Sequence, residues 1–305
     1  MERNEGMPSY IFGKIDINDN LLKKDLEIHD AFPKIPEEYD EFSSGFWMNC
    51  TLMSASEDQT DTQYRDYDHS IKKTGYGEKL PYINRLLEEN FTFDNLKMVR
   101  TRNLVDALIM PHRDFVDLNK DIQQYFRVFI PLEDTELAFH SDEDNVFRMR
   151  KGEVWFLDAG IVHAAANFSN KNRLFLCLDY SFDGEYQPSD IYKNKEMYTR
   201  DIEPCIIERE EINDEFEEEL ISSLSKVISR HNFKEMVFLL SKVHFYKNVP
   251  VDKCYKWLAE IAKRSGDELM ADKAEKVHQY LIEKRELGER FSFSDWTELQ
   301  VPVIK

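Results

Sequence analysis

The feature that most restricts the possible fold is a series of short, apolar, strand-like segments between residues 96 and 180. Residues typical of turns separate each segment from the next. Many short strands at regular spacing are typical of a jelly roll, or double-stranded β-helix, which we therefore predict for this part of the chain. The predicted strands are Leu96–Leu104, Ala107–Pro111, Tyr125–Leu132, Leu137–His140, Asn145–Met149, Glu153–Leu157 and Leu174–Tyr180.

The segments on either side complete the predicted α+β architecture. Upstream, the patterns predict a strand at Tyr10–Ile15 and helices at Asn20–His29 and Tyr82–Asn90. The polar, acidic stretch Ser54–His69 predicts a loop, in a position where loops often act as lids. We predict a jelly-roll catalytic domain over residues 1–200 and a small helical domain over residues 201–305. The predicted helical stripes are Phe216 to Ile228, Phe233 to Leu240, Cys254 to Ile261, and Asp267 to Leu287, which Gly288 ends.

Three residues near the strand ends have the character of metal ligands. His112 and Asp114 are two positions apart, so their side chains point to the same face of an extended strand. His163 follows 51 positions later (163 − 112), after an apolar run. Two imidazoles and one carboxylate hold non-heme Fe(II) and leave coordination positions open, although a catalytic zinc uses the same ligand types. The tripeptide alone also fits a strand-end pair with ordinary hydrogen bonds.

An arginine in the next predicted strand has the chemistry of an anion anchor. Arg173 lies ten residues beyond His163 (173 − 163) and opens the apolar run Leu174–Tyr180. Its guanidinium fork is suited to a bidentate grip on a carboxylate, whereas a surface role is the alternative. That carboxylate could belong to a dicarboxylic co-substrate whose other end chelates the metal.

Long stretches of sequence resemble the bacterial L-proline 3-hydroxylases, which are iron(II)/2-oxoglutarate dioxygenases. The resemblance implies a jelly-roll fold, with His112, Asp114 and His163 as iron ligands and Arg173 as the anchor of 2-oxoglutarate. The stretches that carry it are residues 38–47, 100–104, 111–116, 137–142, 152–158 and 238–244.

The same resemblance implies a reaction and its cofactors. With Fe(II), 2-oxoglutarate and O2, the chain would hydroxylate a free cyclic amino acid, first of all L-proline to cis-3-hydroxy-L-proline, with succinate and CO2 as co-products. L-Pipecolate or another amino acid is the alternative substrate. Asp114 argues for hydroxylation, because related halogenases have a small residue there that frees a site for halide. A non-enzymatic metal-binding barrel and a zinc hydrolase are the other open classes.

Three further residues are candidates for ligand contacts. His140 would either cap a turn or contact 2-oxoglutarate. Arg102 and Arg127 lie on predicted barrel strands, where burying an unpaired guanidinium is costly. Each would therefore bind the substrate carboxylate or form an ion pair with a nearby acidic residue.

The composition excludes several kinds of partner. With 59 acidic and 40 basic residues, the net charge of −19 opposes binding to nucleic acid or to anionic lipid. No apolar run has the length of a membrane span, and the first residues lack a secretion signal, so we expect a cytoplasmic protein. The residues do not decide the oligomeric state, and a homodimer stays open. The cysteines show no pairing pattern and are expected to be free thiols: Cys50, Cys177, Cys205 and Cys254.

Overall fold

A computed structural model describes residues 7–36, 40–64, 70–114, 125–286 and 288–296. The strands are β1 (Tyr10–Lys14), β2 (Ile35–Pro36), β3 (Ser43–Ser54), β4 (Lys72–Lys73), β5 (Leu96–His112), β6 (Tyr125–Pro131), β7 (Ala138–Asp142), β8 (Asn145–Arg148), β9 (Glu153–Phe156), β10 (His163–Asn167), β11 (Leu174–Ser181), β12 (Cys205–Ile206), β13 (Glu210–Glu211) and β14 (Lys247–Asn248). The helices are α1 (Asp19–Asp30), α2 (Pro81–Asn90), α3 (Asp214–Ser225), α4 (Phe233–Val243), α5 (Lys253–Ser265) and α6 (Glu268–His278).

Local signals account for where the helices begin and end. The Asn18 side chain accepts the main-chain N–H of Leu21 at the start of α1, and Asp267 caps α6 in the same way. Pro81 occupies the first turn of α2, where its missing N–H costs nothing. Gly266 ends α5 in a left-handed conformation with φ of 81°.

Two antiparallel sheets joined through β5 form the double-stranded β-helix, as the sequence predicted. One sheet has the order β1-β9-β6-β11-β5 and the other β5-β10-β7-β8-β12, and β3 runs along the free edge of β5. The first half of β5 pairs with β11, whereas its second half pairs with β10. The strand order brings the two ends of the chain segment 96–181 into adjacent positions.

A bend in β5 allows this strand to serve both sheets. The sequence predicts two strands with a break at Val105 and Asp106, whereas the structure has one strand in which Asp106 has a positive φ of 43°. Opposite this position lies Gly45 of β3, whose φ is 68°. A Cβ on Gly45 would lie 2.0 Å from the Asp106 carbonyl oxygen. Because glycine has no Cβ, the two strands can approach each other closely at this β-bulge.

Within the part of the chain that the structure describes, side-chain alternation in the strands produces three apolar cores. On β11, Leu176 and Leu178 point outward and pack with α1 and α2. Phe175 and Cys177 point into the barrel, where they meet aromatic residues of β6, β8 and β9. The outer face of the second sheet, including Leu108 and Met110 of β5, packs against helices α3 to α6. The site described below lies at the open end of the inner layer.

The C-terminal helices share one continuous core with the barrel. The fourth predicted helix, Asp267–Leu287, is shorter in the structure: α6 ends at His278, and a single π-helical turn, Gln279–Glu283, follows. In this turn the Lys284 N–H donates to the Gln279 carbonyl. Leu287 lies outside the described residues. The division into domains at residue 200 stays a prediction.

Among the described strands of five or more residues, two were not predicted from the sequence. One is β3, and the other is β10, whose sequence His-Ala-Ala-Ala-Asn has little intrinsic preference for strand. Neighbouring strands on both sides, β5 and β7, supply the pairing that makes β10 extended.

The remaining sequence predictions concern loops, cysteines and membrane spans. Of the loop predicted over Ser54–His69, residues 55–64 are irregular and residues 65–69 lie outside the described part. The prediction that all the cysteines are free thiols is confirmed. Across the described ranges, no helix combines the length and the apolar character that crossing a membrane requires.

Candidate metal centre

The register of β5 and β10 brings the three predicted ligands together. His163 pairs directly with His112 across the two strands, and their ring centroids are 4.3 Å apart. Nε2 of His112 lies 3.5 Å from Oδ1 of Asp114. Their ligand atoms lie within 4.8 Å of one another, and among the described residues no other such group of His, Cys, Asp or Glu is found. Two ligand atoms at right angles on one ion would lie ~3 Å apart, so the 3.5 Å between His112 Nε2 and Asp114 Oδ1 suits a shared metal.

Hydrogen bonds determine which nitrogen each histidine can offer to a metal. Nδ1 of His112 lies 2.8 Å from the Met110 carbonyl oxygen, and Nδ1 of His163 lies 3.0 Å from the Ile161 carbonyl oxygen. A carbonyl only accepts, so both Nδ1 atoms carry the proton. Each Nε2 lone pair is then available to a metal, and the second nitrogen holds the ring in place.

The electrostatic environment keeps these ligands in the protonation states that a divalent metal requires. Burial opposes ionisation of Asp114, but neighbouring His112, His163 and Arg127 outweigh it and hold the pKa of Asp114 well below its usual value. Burial, together with the neighbouring His112, lowers the pKa of His163 to about 4. At neutral pH the group therefore has an anionic carboxylate and a neutral His163 imidazole.

A series of buried ion pairs connects Asp114 to Arg127, Asp179 and Arg100. Nη1 of Arg127 lies 3.0 Å from Asp114 Oδ2, and Nε of Arg127 lies 2.8 Å from Asp179 Oδ1. Arg100 binds the other oxygen of Asp179 at 2.6 Å, and the Tyr125 hydroxyl donates to Asp179 as well. Burial raises the pKa of Asp179, but the two arginines reverse this and lower it strongly. Arg127 thus has acidic partners, and its role in substrate binding stays a prediction.

Arg173 is a buried cation without an acidic partner among the described residues. It is 7% exposed, and its guanidinium carbon lies 4.2 Å from the centroid of the Phe175 ring. Burial lowers its pKa to about 9, and no nearby carboxylate offsets this. A buried guanidinium in such a position is stabilised when an anionic ligand binds to it.

His140 lies close to His163 and feels the charge of Arg173. Its ring is 6.0 Å from that of His163 and almost parallel to it, and its Nε2 lies 3.4 Å from Asp142 Oδ1. Burial lowers the pKa of His140 to about 4, an effect that Asp142 opposes and Arg173 and His163 reinforce. Nδ1 of His140 is buried without a hydrogen-bond partner among the described residues. Its contact with 2-oxoglutarate stays a prediction.

Arg102 lies on the inner side of β5, opposite Phe175 of β11. Its guanidinium carbon is 5.8 Å from the ring centroid of Trp47 and 5.9 Å from that of Phe129. The arginine therefore brings a positive charge to an aromatic surface within the barrel. Its contact with a substrate carboxylate stays a prediction.

The structure also shows residues of the site that the sequence analysis missed. Asp179 pairs directly with Arg127 across β6 and β11. An acidic residue within the apolar run Leu174–Tyr180 was a signal that could have revealed it. Asp142, opposite His163, and Phe42, whose ring lies 4.7 Å from that of His112, had no comparable signal.

Two protein families match the chain over separate ranges. The family described as Aspartyl/Asparaginyl beta-hydroxylase matches residues 16–181. The family described as L-proline 3-hydroxylase, C-terminal, matches residues 188–289.

Individual relatives match almost the whole chain. L-Proline cis-3-hydroxylase 2 and L-proline cis-3-hydroxylase 1, both of Streptomyces sp, are 44% and 43% identical to it over 291 residues, which are 95% of this chain and 100% of each relative. L-Proline cis-4-hydroxylase of Rhizobium meliloti (strain 1021) is 30% identical over 290 residues, or 94% of this chain and 100% of the relative.

Proposed function

Since this chain belongs to the L-proline 3-hydroxylase family of 2-oxoglutarate-dependent dioxygenases, we propose that it hydroxylates free L-proline to cis-3-hydroxy-L-proline. The observation that carries the proposal is the group of His112, Asp114 and His163, together with the unpaired, buried Arg173. These residues fit a divalent metal and an anionic co-substrate bound side by side.

The protein's part in the reaction begins with holding the metal. His112 and His163 would bind Fe(II) through Nε2, with each ring oriented by its Nδ1–H bond to a main-chain carbonyl. Asp114 would supply the third ligand, and Arg127 holds its second oxygen. When bound, Fe(II) and 2-oxoglutarate supply oxidative chemistry that uses O2 to hydroxylate a C–H bond and yields succinate and CO2.

Arg173 would bind the far carboxylate of 2-oxoglutarate. The buried guanidinium is fixed against the Phe175 ring, so little conformational freedom is lost when the anion binds. His140, neutral and with an unpartnered Nδ1, would contribute a hydrogen bond rather than a charge. These roles account for the polar groups on the Arg173 side of the metal group.

The substrate carboxylate would meet the positive charges that Arg102 and Arg127 bring into the barrel. Arg102 lies among aromatic rings that suit the apolar ring of proline, whereas Arg127 retains its ion pairs with Asp114 and Asp179. The chain as a whole carries a net charge of −19, so these arginines form a local positive region in an otherwise acidic protein.

The relatives favour proline, hydroxylated at carbon 3, over the alternatives. Identity is 44% and 43% to the two cis-3-hydroxylases and 30% to the cis-4-hydroxylase. Pipecolate, a non-enzymatic metal-binding barrel and a zinc hydrolase are less favoured by these matches. A cytoplasmic location, the lack of nucleic-acid and membrane partners, and a homodimer stay predictions.

An aerobic assay with Fe(II), 2-oxoglutarate and ascorbate tests the proposal against a panel of free amino acids. We expect L-proline to give the main product, with one added oxygen and an equal amount of succinate. Product NMR should then place the hydroxyl at carbon 3. Substitution of the exposed Asp201 (D201A) should leave the coupled activity unchanged, whereas D114A should abolish it.

Three other outcomes have distinct meanings. If pipecolate reacts much faster than proline, the dioxygenase assignment holds and the substrate is wrong. A hydroxyl at carbon 4 would leave the substrate but change the position. If no amino acid is hydroxylated while Fe(II) is bound, a free amino acid is not the substrate.

A further inference from the structure

The main chain around His112 has an irregular hydrogen-bond pattern. Between His112 and Ile109, β5 has one more residue than the paired segment of β10 between His163 and Ala165. This bulge contains Pro111, which has no N–H to donate. The regular ladder between the strands is therefore interrupted immediately before the first metal ligand.

A tyrosine of the C-terminal helices binds to the strand at this interruption. The hydroxyl of Tyr255, on α5, donates to the Pro111 carbonyl at 2.5 Å. Tyr255 is buried, and burial raises its pKa well above the usual value, so the hydroxyl retains its proton. The residue before His112 is thus held by a group 144 positions away in the sequence.

The residue after His112 is held by the end of the same helical segment. The Arg113 N–H donates to the Leu281 carbonyl at 3.0 Å, within the π-helical turn that follows α6. The turn ends at Glu283, so the residues that would donate to the Leu281 carbonyl in a longer helix lie beyond its end. The carbonyl accepts from Arg113 instead. The side chain of Arg285 donates to the Arg113 carbonyl at 3.1 Å.

Phe42 connects Arg285 to the His112 ring. The guanidinium carbon of Arg285 lies 5.4 Å from the Phe42 ring centroid, and the Phe42 ring lies 4.7 Å from that of His112. The C-terminal segment therefore contacts the main chain on both sides of His112 and, through Phe42, supports the imidazole.

We propose that the C-terminal helical segment positions the metal ligands, and that Tyr255 is its principal positioning residue. The inference rests on the proposed function, because it assumes that His112 and Asp114 bind a metal. The main chain of residues 111–113 is held by Tyr255, the Leu281 carbonyl and Arg285. This main chain sets the direction in which the His112 and Asp114 side chains point. The helices that complete the apolar core thereby also adjust the affinity of the site.

Binding of Co(II) to the full chain provides a test that does not depend on turnover. The variant Y255F removes one hydroxyl and keeps the buried ring. We expect its Co(II) dissociation constant to rise about tenfold, near the lower end of the range for groups that orient metal ligands. The absorption spectrum of bound Co(II) should change as well, because the ligand geometry changes.

A matched control separates positioning from general packing. The Tyr180 hydroxyl is also buried and donates to a main-chain carbonyl, that of Thr92, at 3.1 Å, but on the outward face of β11. Y180F should lower the melting temperature without altering Co(II) affinity or spectrum. If Y255F binds Co(II) with wild-type affinity and spectrum, Tyr255 is a packing residue and the inference is wrong.

A second variant decides the matter if Y255F does not fold. R285K keeps the positive charge but loses the planar guanidinium, so it should also weaken Co(II) binding, by several fold. Wild-type affinity and spectrum in R285K would then overturn the inference. If the wild-type chain itself binds neither Co(II) nor Fe(II) at His112 and His163, the proposed function fails, and the inference fails with it.

Discussion

At the scale of single residues, the most informative side chain is Arg173. Its guanidinium is buried, stacks on Phe175 and lacks an acidic partner in the described part of the chain. By contrast, Arg127 and Arg100 share Asp179. The barrel therefore contains both a paired and an unpaired arginine site, and burial alone does not distinguish a structural arginine from one that binds a ligand.

Replacing Arg173 should weaken 2-oxoglutarate binding without affecting the metal. In R173M the dissociation constant for 2-oxoglutarate, measured by calorimetry on the Co(II)-loaded chain, should rise at least about tenfold, because a charge-assisted bidentate contact is lost. Co(II) affinity should stay at its wild-type value. R85M, in an arginine that is half exposed on α2, serves as the control. Unchanged 2-oxoglutarate affinity in R173M would remove Arg173 from the site.

Asp179 should matter for stability more than any surface carboxylate. In D179N the two guanidinium groups of Arg100 and Arg127 lose their shared anion in a buried location, which should lower the free energy of unfolding by about 3 kcal/mol. D190N, which breaks the largely exposed ion pair with Lys195, should cost no more than about 1 kcal/mol. Urea denaturation measures both. If D179N and D190N lower the free energy of unfolding equally, the buried ion pairs of Asp179 stabilise the fold no more than a surface ion pair does.

At the scale of secondary-structure elements, the bend of β5 determines where the ligands lie. The strand leaves one sheet near Asn103 and enters the other at Ala107, which carries His112 to the strand end beside His163. The bulge at Gly45 in β3 allows the neighbouring strand to follow this bend. A continuous flat strand would place the second half of β5 away from β10.

The substitution G45A tests this role of the β3 bulge. A methyl group there would lie 2.0 Å from the Asp106 carbonyl oxygen, and the residue would keep a φ of 68°. We expect a loss of about 2 kcal/mol or more in unfolding free energy. G184A is the matched control, because nothing lies within 4 Å of a Cβ at that position. A G45A variant as stable as G184A would mean that β3 does not constrain the bend.

At the scale of the whole molecule, buried histidines couple stability to pH, and two of them, His29 and His244, lie outside the metal group. Nε2 of His29 contacts the Thr101 hydroxyl in the N-terminal half, and Nε2 of His244 contacts the Ser141 hydroxyl where α4 meets the barrel. Burial lowers the pKa of each to about 3. Below pH 6.5 the unfolded chain takes up protons at both positions, whereas the folded chain does not.

Stability should therefore be full above pH 6.5 and decline as the pH falls towards 3. By pH 5.5 each of the two histidines should lower the free energy of unfolding by about 1 kcal/mol. Denaturation curves at pH 7.5 and 5.5 measure the effect. H244Q should reduce the difference between the two pH values, and H231Q, at an exposed position, should not. If H244Q keeps the full wild-type difference, His244 does not contribute to the pH dependence.

Comparison of sequence and structure shows where local pattern was sufficient. The apolar runs predicted the strands of the double-stranded β-helix. The spacing of His112 and Asp114 predicted neighbouring side chains on one strand; their ligand atoms are 3.5 Å apart, although β5 ends at His112 and Asp114 lies just beyond it. These features depend on side-chain period and on turn residues, which are local properties. The strand β10 escaped detection because its alanines have little strand preference, and only its neighbours on both sides make it extended.

The sequence by itself determined the kind of fold, the ligand types and the presence of an arginine suited to a carboxylate. The tertiary structure alone decided which arginine has an acidic partner, since Asp179 lies 52 positions from Arg127 but directly opposite it in the sheet. It also decided that Tyr255 and Leu281 reach the main chain beside His112. Hydrogen bonds and ion pairs depend on distances in space, and contacts over such separations leave no periodic signal in the chain.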